Sequence, residues 1–525
     1  MPIDPPSNEP LERDVPLSQS LIWRLQRQFY VERGIKAWTE DMVPQYITNN
    51  PFITEIYARI VFSFLHDCGQ LSPQNPLRIL ELGAGPGKFS YLFLCQLTAL
   101  LRAGNIALDT VRYCMTDCSE SLIETWRTNS YLAEFVACGM LEFELFQAGE
   151  EIKSQYVSGK AKPAKGPLVL IANYVFDSLP QDAFVIKEGQ ISEALVTTTA
   201  PSGGDGRPDV EALSRLQLSY KNVSLLPNRY PEQPWNDILE HYRSHLPAAT
   251  VLFPSATLKT LQVLGNLTDG RMLVLAADKG YPYEDELPLS QGPPVLEFHA
   301  ANCFSQMVNF HAIGKYFQAI GGEALTPDKH SPSLSICAFL QPGDQFPTTK
   351  AAYQEAQAVL GPDDVFTLLG WLNPHMEEMS VPQILSTLRL TRWDPVALLR
   401  LFPVLARQLR SVSADRNDLR NAVMRTWANH YPVNPSENVL AFNCGVILLE
   451  LQFFAEALSM FKTSQQIFAP SAATSYNLGL CSLGLGRPSE ALNFMVEACN
   501  LDPTFEPARL SRLKLEAKNA ETKNQ

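Results

Sequence analysis

The stretch Leu77-Arg-Ile-Leu-Glu-Leu-Gly-Ala-Gly-Pro-Gly-Lys-Phe-Ser-Tyr91 runs an apolar strand into an acid, Glu81, then into Gly83, Gly85 and Gly87, and then into an amphipathic helix. This is the βα turn of a nucleotide-binding sheet, and spacing separates its possible ligands. A phosphate-binding P-loop needs Ser or Thr after Gly87-Lys88, where Phe89 stands. A dinucleotide fingerprint needs its third glycine at the position of Lys88. Working outward from this turn, apolar runs alternate with amphipathic stretches between about 76 and 345, the pattern of an α/β domain with a mostly parallel sheet covered on both faces. Strands are expected at Leu77–Leu82, Val111–Thr116, Leu141–Phe146, Leu168–Ala172 and Met272–Ala277.

A GxGxG turn after an acidic strand end suits S-adenosylmethionine, whose amino-acid end is a zwitterion and which carries no phosphate. Glycines admit it to the backbone. The helix N-terminus near Lys88 can face the carboxylate, and Glu81 can reach the ammonium. The ribose needs a bidentate acceptor at the next strand end, where Val111-Arg-Tyr-Cys-Met-Thr-Asp117 supplies Asp117; the competing reading makes Asp117 a helix cap before Ser-Glu-Ser. Gln147 at the third strand end lies where an adenine edge fits. The fourth strand leaves Asn173 at the mouth of the site, with Asp177 and Pro180 on the turn after it. Asn173 can orient a methyl acceptor; Asp177 can take its proton, hold a cationic acceptor, or merely cap the turn.

The remaining chain adds context. Its 525 residues allow about three domains, and 42 basic against 55 acidic residues give a net charge of −13, which argues against nucleic acid and anionic membranes as partners. The one dense basic cluster, Lys160, Lys162 and Lys165, reads as loop. The Pro-rich acidic start, to about residue 16, lacks a signal-peptide pattern, and neither Tyr91–Leu101 nor Val439–Leu458 is a membrane span, so a cytoplasmic protein is expected. The ten scattered Cys read as buried thiols without zinc spacing; no metal site is expected, and His241 and His245 read as a solvated helix face. A helix with Leu21, Leu25 and Phe29 on one side and Gly34 as its stop forms an N-terminal cap within residues 1–75. Loops are expected from Lys153 to Pro167 and from Ala200 to Asp209. Residues 346–435 read as a helical connector with a break or kink at Pro403. Between 436 and 515, Gly445 and Gly479, Ala457 and Ala491, Phe461 and Met495, and Ser464 and Ala498 recur 34 residues apart, the period of tetratricopeptide repeats. Two repeats are readable, so connector helices should complete the stack, either as a cap or as a dock for a protein partner. Residues 516–525 read as a polar tail.

From about Tyr46 to Phe339 the chain resembles the MidA-type methyltransferases, the group that includes the mitochondrial complex I assembly factor methyltransferase. The resemblance is carried by Tyr46–Ile60 (YITNNPFITEIYARI), Glu81–Gly87 (ELGAGPG), Ala172–Phe184 (ANYVFDSLPQDAF), Val185–Val196 (VIKEGQISEALV, similar to the family's hairpin) and Arg271–Glu284, with Asn309, Phe310 and His311 after them. It implies a class I, Rossmann-like methyltransferase fold, puts Thr48 close to the cofactor, and implies methylation of arginine on a protein. Tyr174 stands where the family has Glu, and Asp278-Lys279-Gly280 replaces its DYG-like triplet. Both departures weaken arginine as the acceptor. Glu297 and His299 can replace the lost acid or base, or serve structure alone. Three functions stay open: a methyltransferase acting on a protein side chain, a scaffold that keeps the fold without turnover, and a methyltransferase acting on a small molecule.

Overall fold

The computed structural model describes residues 10–43, 45–69, 71–149, 165–199, 210–289, 292–294, 296–299, 303–328, 334–343, 345–359, 362–412 and 414–523. Lys160, Lys162, most of the loop from Lys153 and all of that from Ala200 to Asp209 lie outside the described residues. The chain divides into two compact units, Met1–Asp364 and Val365–Gln525.

In chain order the strands of the first unit are β1 (Pro10–Pro16), β2 (Leu77–Leu82), β3 (Val111–Asp117), β4 (Leu141–Leu145), β5 (Gly166–Asn173), β6 (Asp182–Lys187) and β7 (Gln190–Thr199). They continue with β8 (Gln217–Ser224), β9 (Ala248–Phe253), β10 (Thr268–Asp278), β11 (Glu297–His299), β12 (Cys303–Ser305), β13 (Glu323–Leu325) and β14 (Ser335–Gln341). The main sheet has the order β13-β14-β10-β5-β2-β3-β4, and β10, β5, β2, β3 and β4 are mutually parallel while β14 runs against its neighbours. All five strands expected from the sequence are there; the four central ones are apolar runs largely buried on both faces, β2 at every position, whereas the edge strand β4 reads Leu-Glu-Phe-Glu-Leu and is partly exposed. Leu80, Leu170 and Val274 face a core shared with helices Gln233–His245, Ser255–Gly265 and Phe310–Ala319. On the opposite face Tyr113 meets Phe93 of helix Lys88–Ala103 at 5.4 Å. Connections leave β2 toward β3 and leave β5 toward β10, so the strand order switches direction between β2 and β5, where open α/β sheets bind their ligands.

Two features differ from the reading of the sequence. A second, antiparallel sheet of β1, β7, β6 and β9, with β8 on β7, occupies part of the ground expected to alternate strand and helix; only its β6–β7 pair matches the hairpin that the resemblance implies over Val185–Val196. It draws Pro10–Pro16, expected as tail, into an edge strand, where prolines are tolerated. Helix Pro347–Val359, expected in the connector, belongs to the first unit: Asp67 accepts from the backbone and hydroxyl of Thr349 at 2.8 and 2.7 Å, and Tyr353 donates to the Ile336 carbonyl at 2.7 Å. The cap helix Leu21–Arg33 runs from Ser20 to Gly34 as expected.

The second unit is all helical. Helix Pro395–Gln408 continues through Pro403, which rules out the break but not the kink of the two outcomes expected there, and buries Leu398, Leu401, Val404 and Leu405 on both sides of the proline. Helix pairs Leu440–Glu450 with Phe454–Ile467 and Ala472–Gly484 with Pro488–Leu501 repeat at the 34-residue period, and one core joins them to the preceding helices from Met379 onward. The last helix, Glu506–Lys523, runs on through residues expected as tail. The small repeat residues sit where helices touch: a Cβ on Gly445 would meet the Phe461 ring at 2.8 Å, whereas one on Gly370 would meet nothing. Gly445→Ala is therefore expected to cost about 1–2 kcal/mol, overpacking outweighing the gain in helix propensity, while Gly370→Ala in helix Pro362–Leu372 stabilises by about 0.5–1 kcal/mol. Urea denaturation of the two variants checks the opposite signs.

Candidate active site

Beyond the carboxyl ends of β2, β3 and β5 lies a cavity of about 170 Å³. Of the residues singled out from sequence, Thr48, Glu81, Gly83, Gly85, Asp117, Gln147 and Asn173 line it. Gly87 and Asp177 do not.

The turn has the backbone its glycines imply. Gly83, Gly85 and Gly87 hold φ of +61°, +54° and +83°, values that L side chains rarely adopt, and Gly87 then starts the helix at Lys88. Space is as restrictive as conformation: a Cβ on Gly83 would stand 2.9 Å from Val175, and one on Gly85 3.0 Å from the Trp38 indole. The turn is tied to β3 twice, by the Ala84 amide on the Thr116 carbonyl at 2.9 Å and by the Gly85 amide on Asp117 Oδ2 at 3.2 Å. The Trp126 indole donates to the Gly85 carbonyl at 2.9 Å. Asp117 also accepts from the Ser119 amide at 3.2 Å, so it combines the local turn role of the competing reading with a place on the cavity wall. Burial pushes its carboxyl above the usual range.

Glu81 is buried, and its Oε2 accepts from the Ser90 hydroxyl and, at 2.7 Å, from Tyr113. Burial outweighs these bonds and raises its pKa from the ordinary 4.5 to about 7. Asn173 Oδ1 accepts from the buried Tyr57 hydroxyl at 2.8 Å, while its Nδ2 is buried without a hydrogen-bond partner. Asp177, expected beside the acceptor, instead takes a hydrogen bond from Ser178 at 2.9 Å in the turn Phe176–Ser178. Its amide donates to Asp278 Oδ2 at 3.1 Å, and the Lys279 amide to Asp278 Oδ1 at 2.9 Å. Burial raises both carboxyls, and the Asp177 charge adds to the cost of ionising Asp278. The pair thus pins the end of β10 to the turn after β5.

Glu297 pairs with Lys279, and His299 contacts the Ser305 hydroxyl at 3.0 Å; neither lines the cavity. His241, expected on a solvated face, contacts Glu284 at 2.6 Å and stacks on His245. Cys138 is exposed, unlike the buried thiols expected. Among the described residues no helix is long and apolar enough to cross a membrane.

Residues 57–300 match one family model. Its description is "Putative S-adenosyl-L-methionine-dependent methyltransferase", and the cofactor of that family is S-adenosylmethionine. No curated protein matches the chain. Among solved structures it is similar to a candidate methyl transferase from Burkholderia thailandensis bound to S-adenosyl-homocysteine, at 14% identity and a TM-score of 0.43, covering 62% of this chain and 88% of that one. An uncharacterized protein from the same organism gives 14% identity and a TM-score of 0.42, covering 64% of this chain and 90% of that one. MamA from Desulfovibrio magneticus RS-1 gives 16% identity and a TM-score of 0.24, covering 30% of this chain and 86% of that one.

The structure adds wall residues that the sequence reading passed over. Trp23, Gln26, Arg27 and Tyr30 line the cavity from helix Leu21–Arg33, and Trp38 follows from the segment after it. Their spacing of i, i+3, i+4 and i+7 is a helical face, the signal that could have found them. The environment of Glu81 sets a pH dependence. A carboxyl raised in the folded state contributes stability below its ordinary pKa that is lost as pH rises through about 7, by about 3 kcal/mol for the shift from 4.5. Glu81→Gln, which keeps an acceptor for Ser90 and Tyr113, should therefore flatten the fall in stability between about pH 5 and pH 8. Denaturant titrations at the two pH values that give the same slope for both proteins contradict the assignment.

Proposed function

We propose that this protein is a class I, S-adenosylmethionine-dependent methyltransferase. The observation that carries the reading is the left-handed glycine turn at the strand-order switch with Asp117 on the adjacent strand end. Bare backbone at Gly83 and Gly85 accepts a zwitterionic amino-acid end, Asp117 accepts from the ribose hydroxyls, and Gln147 lies toward the adenine. Thr48 belongs to the same wall. Glu81 meets the ammonium as a carboxylate. The cofactor supplies an activated methyl group, and the chain's task is to orient the acceptor in line with it, a contribution worth about 7–11 kcal/mol in well-aligned reactions. Asn173 is the orienting group, with Tyr57 fixing its amide. The acceptor is a side chain of a protein partner, and the helical repeats of the second unit, read as tetratricopeptide repeats, dock that partner. The reaction runs in the cytoplasm.

A scaffold without turnover is favoured by a different observation: Trp38 lies against Gly85, and the Asp117 carboxylate is engaged by the Gly85 amide. Calorimetry of the full chain with S-adenosylmethionine separates the readings. Binding is expected, weakened by about 10–100-fold in Asp117→Ala, the scale of losing hydrogen bonds to a charged group. Unchanged affinity in the variant removes the ribose assignment, and no binding by the wild type leaves the scaffold.

A further inference from the structure

The acceptor end of the cavity has an unusual charge balance for a site that methylates cations. Its lining carboxylates, among the described residues, are Glu81 and Asp117, both on the cofactor side and both held by internal hydrogen bonds. Tyr174 stands between Asn173 and Val175, where the resembled family carries an acid. Asp177 does not reach the wall. The same wall carries a cation: Arg27, half-buried on the cap helix, has no carboxylate within ion-pair distance among the described residues. A guanidinium or ammonium acceptor would meet like charge there, with no carboxylate on the acceptor side among the described residues to pair with it. It would also need a base to remove its proton, and among the described residues no histidine lines the cavity and both lining carboxylates are engaged in internal hydrogen bonds.

What the wall does offer is donors. Asn173 Nδ2 is buried and unpartnered, its Oδ1 being occupied by Tyr57, and Arg27 presents a planar fork of N–H groups. Trp23 and Tyr30 flank Arg27 on the same helical face and give the acceptor an aromatic surface.

From this arrangement we infer that the methyl acceptor is a carboxylate of the partner protein presented beside an aromatic or apolar group, held by Arg27 and Asn173. The inference rests on the methyltransferase reading and names its substrate class. A carboxylate oxygen attacks the methyl carbon with its own lone pair, the carbon–sulfur bond breaks, and its electron pair returns to sulfur. The products are a neutral methyl ester and S-adenosyl-homocysteine, with no proton to remove, which matches a wall without a base. Loss of the negative charge also weakens the hold of Arg27 on the product.

Arg27 can alternatively bind the methionine carboxylate of the cofactor, and the experiment distinguishes the two. The full chain is saturated with S-adenosyl-homocysteine and titrated calorimetrically with 3-phenylpropionate, 3-phenylpropionamide and phenethylguanidinium. The carboxylate is expected to bind about tenfold or more tighter than the amide, with the guanidinium weakest. Arg27→Gln should lose that preference, Arg27→Lys should keep part of it, and both should bind S-adenosyl-homocysteine within about twofold of wild type. Thermal melts confirm that both variants fold. Guanidinium binding equal to or tighter than carboxylate, or no carboxylate binding, overturns the proposal. Arg27→Gln weakening S-adenosyl-homocysteine while leaving 3-phenylpropionate unchanged assigns Arg27 to the cofactor and overturns it too. A wild type that does not bind S-adenosyl-homocysteine overturns the methyltransferase reading itself, and the acceptor with it.

Discussion

A carboxylate at the end of β3 accepts a hydrogen bond from the amide of a glycine in the turn after β2, and the candidate site depends on that one contact between Asp117 and Gly85. It can form only because Gly83, Gly85 and Gly87 all take left-handed backbone, which brings the amide of the turn toward the neighbouring strand. Trp126 holds the carbonyl of the same glycine from the helix after β3. The turn is therefore shaped by hydrogen bonds to its own sheet before any ligand arrives. A nucleoside that takes Asp117 for its ribose competes with Gly85 for the same oxygens.

The wall opposite the turn comes from far away in the chain. Tyr57 sets the amide of Asn173 across 116 residues, and Asp278 anchors the backbone of Asp177 across 101. Both links tie the turn after β5 to other elements, so Asn173 is held from two directions. The roles divide accordingly: Asp177 and Asp278 are a buried scaffold beneath the site, whereas Asn173 and Arg27 touch its interior. Buried carboxyls of this kind cost stability and are tolerated here because two backbone amides satisfy Asp278 and the Ser178 hydroxyl donates to Asp177.

How much was legible in the sequence follows from the range of each interaction. The parallel strands were readable because a strand covered on both faces is a continuous apolar run, as in Leu168–Ala172. The glycine turn was readable because its constraints are local. The outer strands of the second sheet were not, because they are partly exposed and polar: β8 reads Gln217-Leu-Ser-Tyr-Lys-Asn-Val-Ser224, and β1 carries Pro, Glu, Arg and Asp. Alternation does survive in β7, with Ala194, Val196 and Thr198 buried. Asp177 was placed in the site because it follows a strand end, and only the fold shows its side chain turned to Ser178. Trp23, Gln26, Arg27 and Tyr30 were visible as a helical face, but such a face reads as core until the sheet beneath it is known to end in a cavity.

The most direct test of the glycine turn as a nucleoside site is a crystal structure of the full chain grown with S-adenosyl-homocysteine. Its ribose hydroxyls are expected on Asp117 in place of the Gly85 amide, its sulfur toward Asn173, and the Trp38 indole displaced from Gly85. Density for the nucleoside elsewhere on the chain, with Asp117 still bound to Gly85 and Trp38 in place, would contradict it.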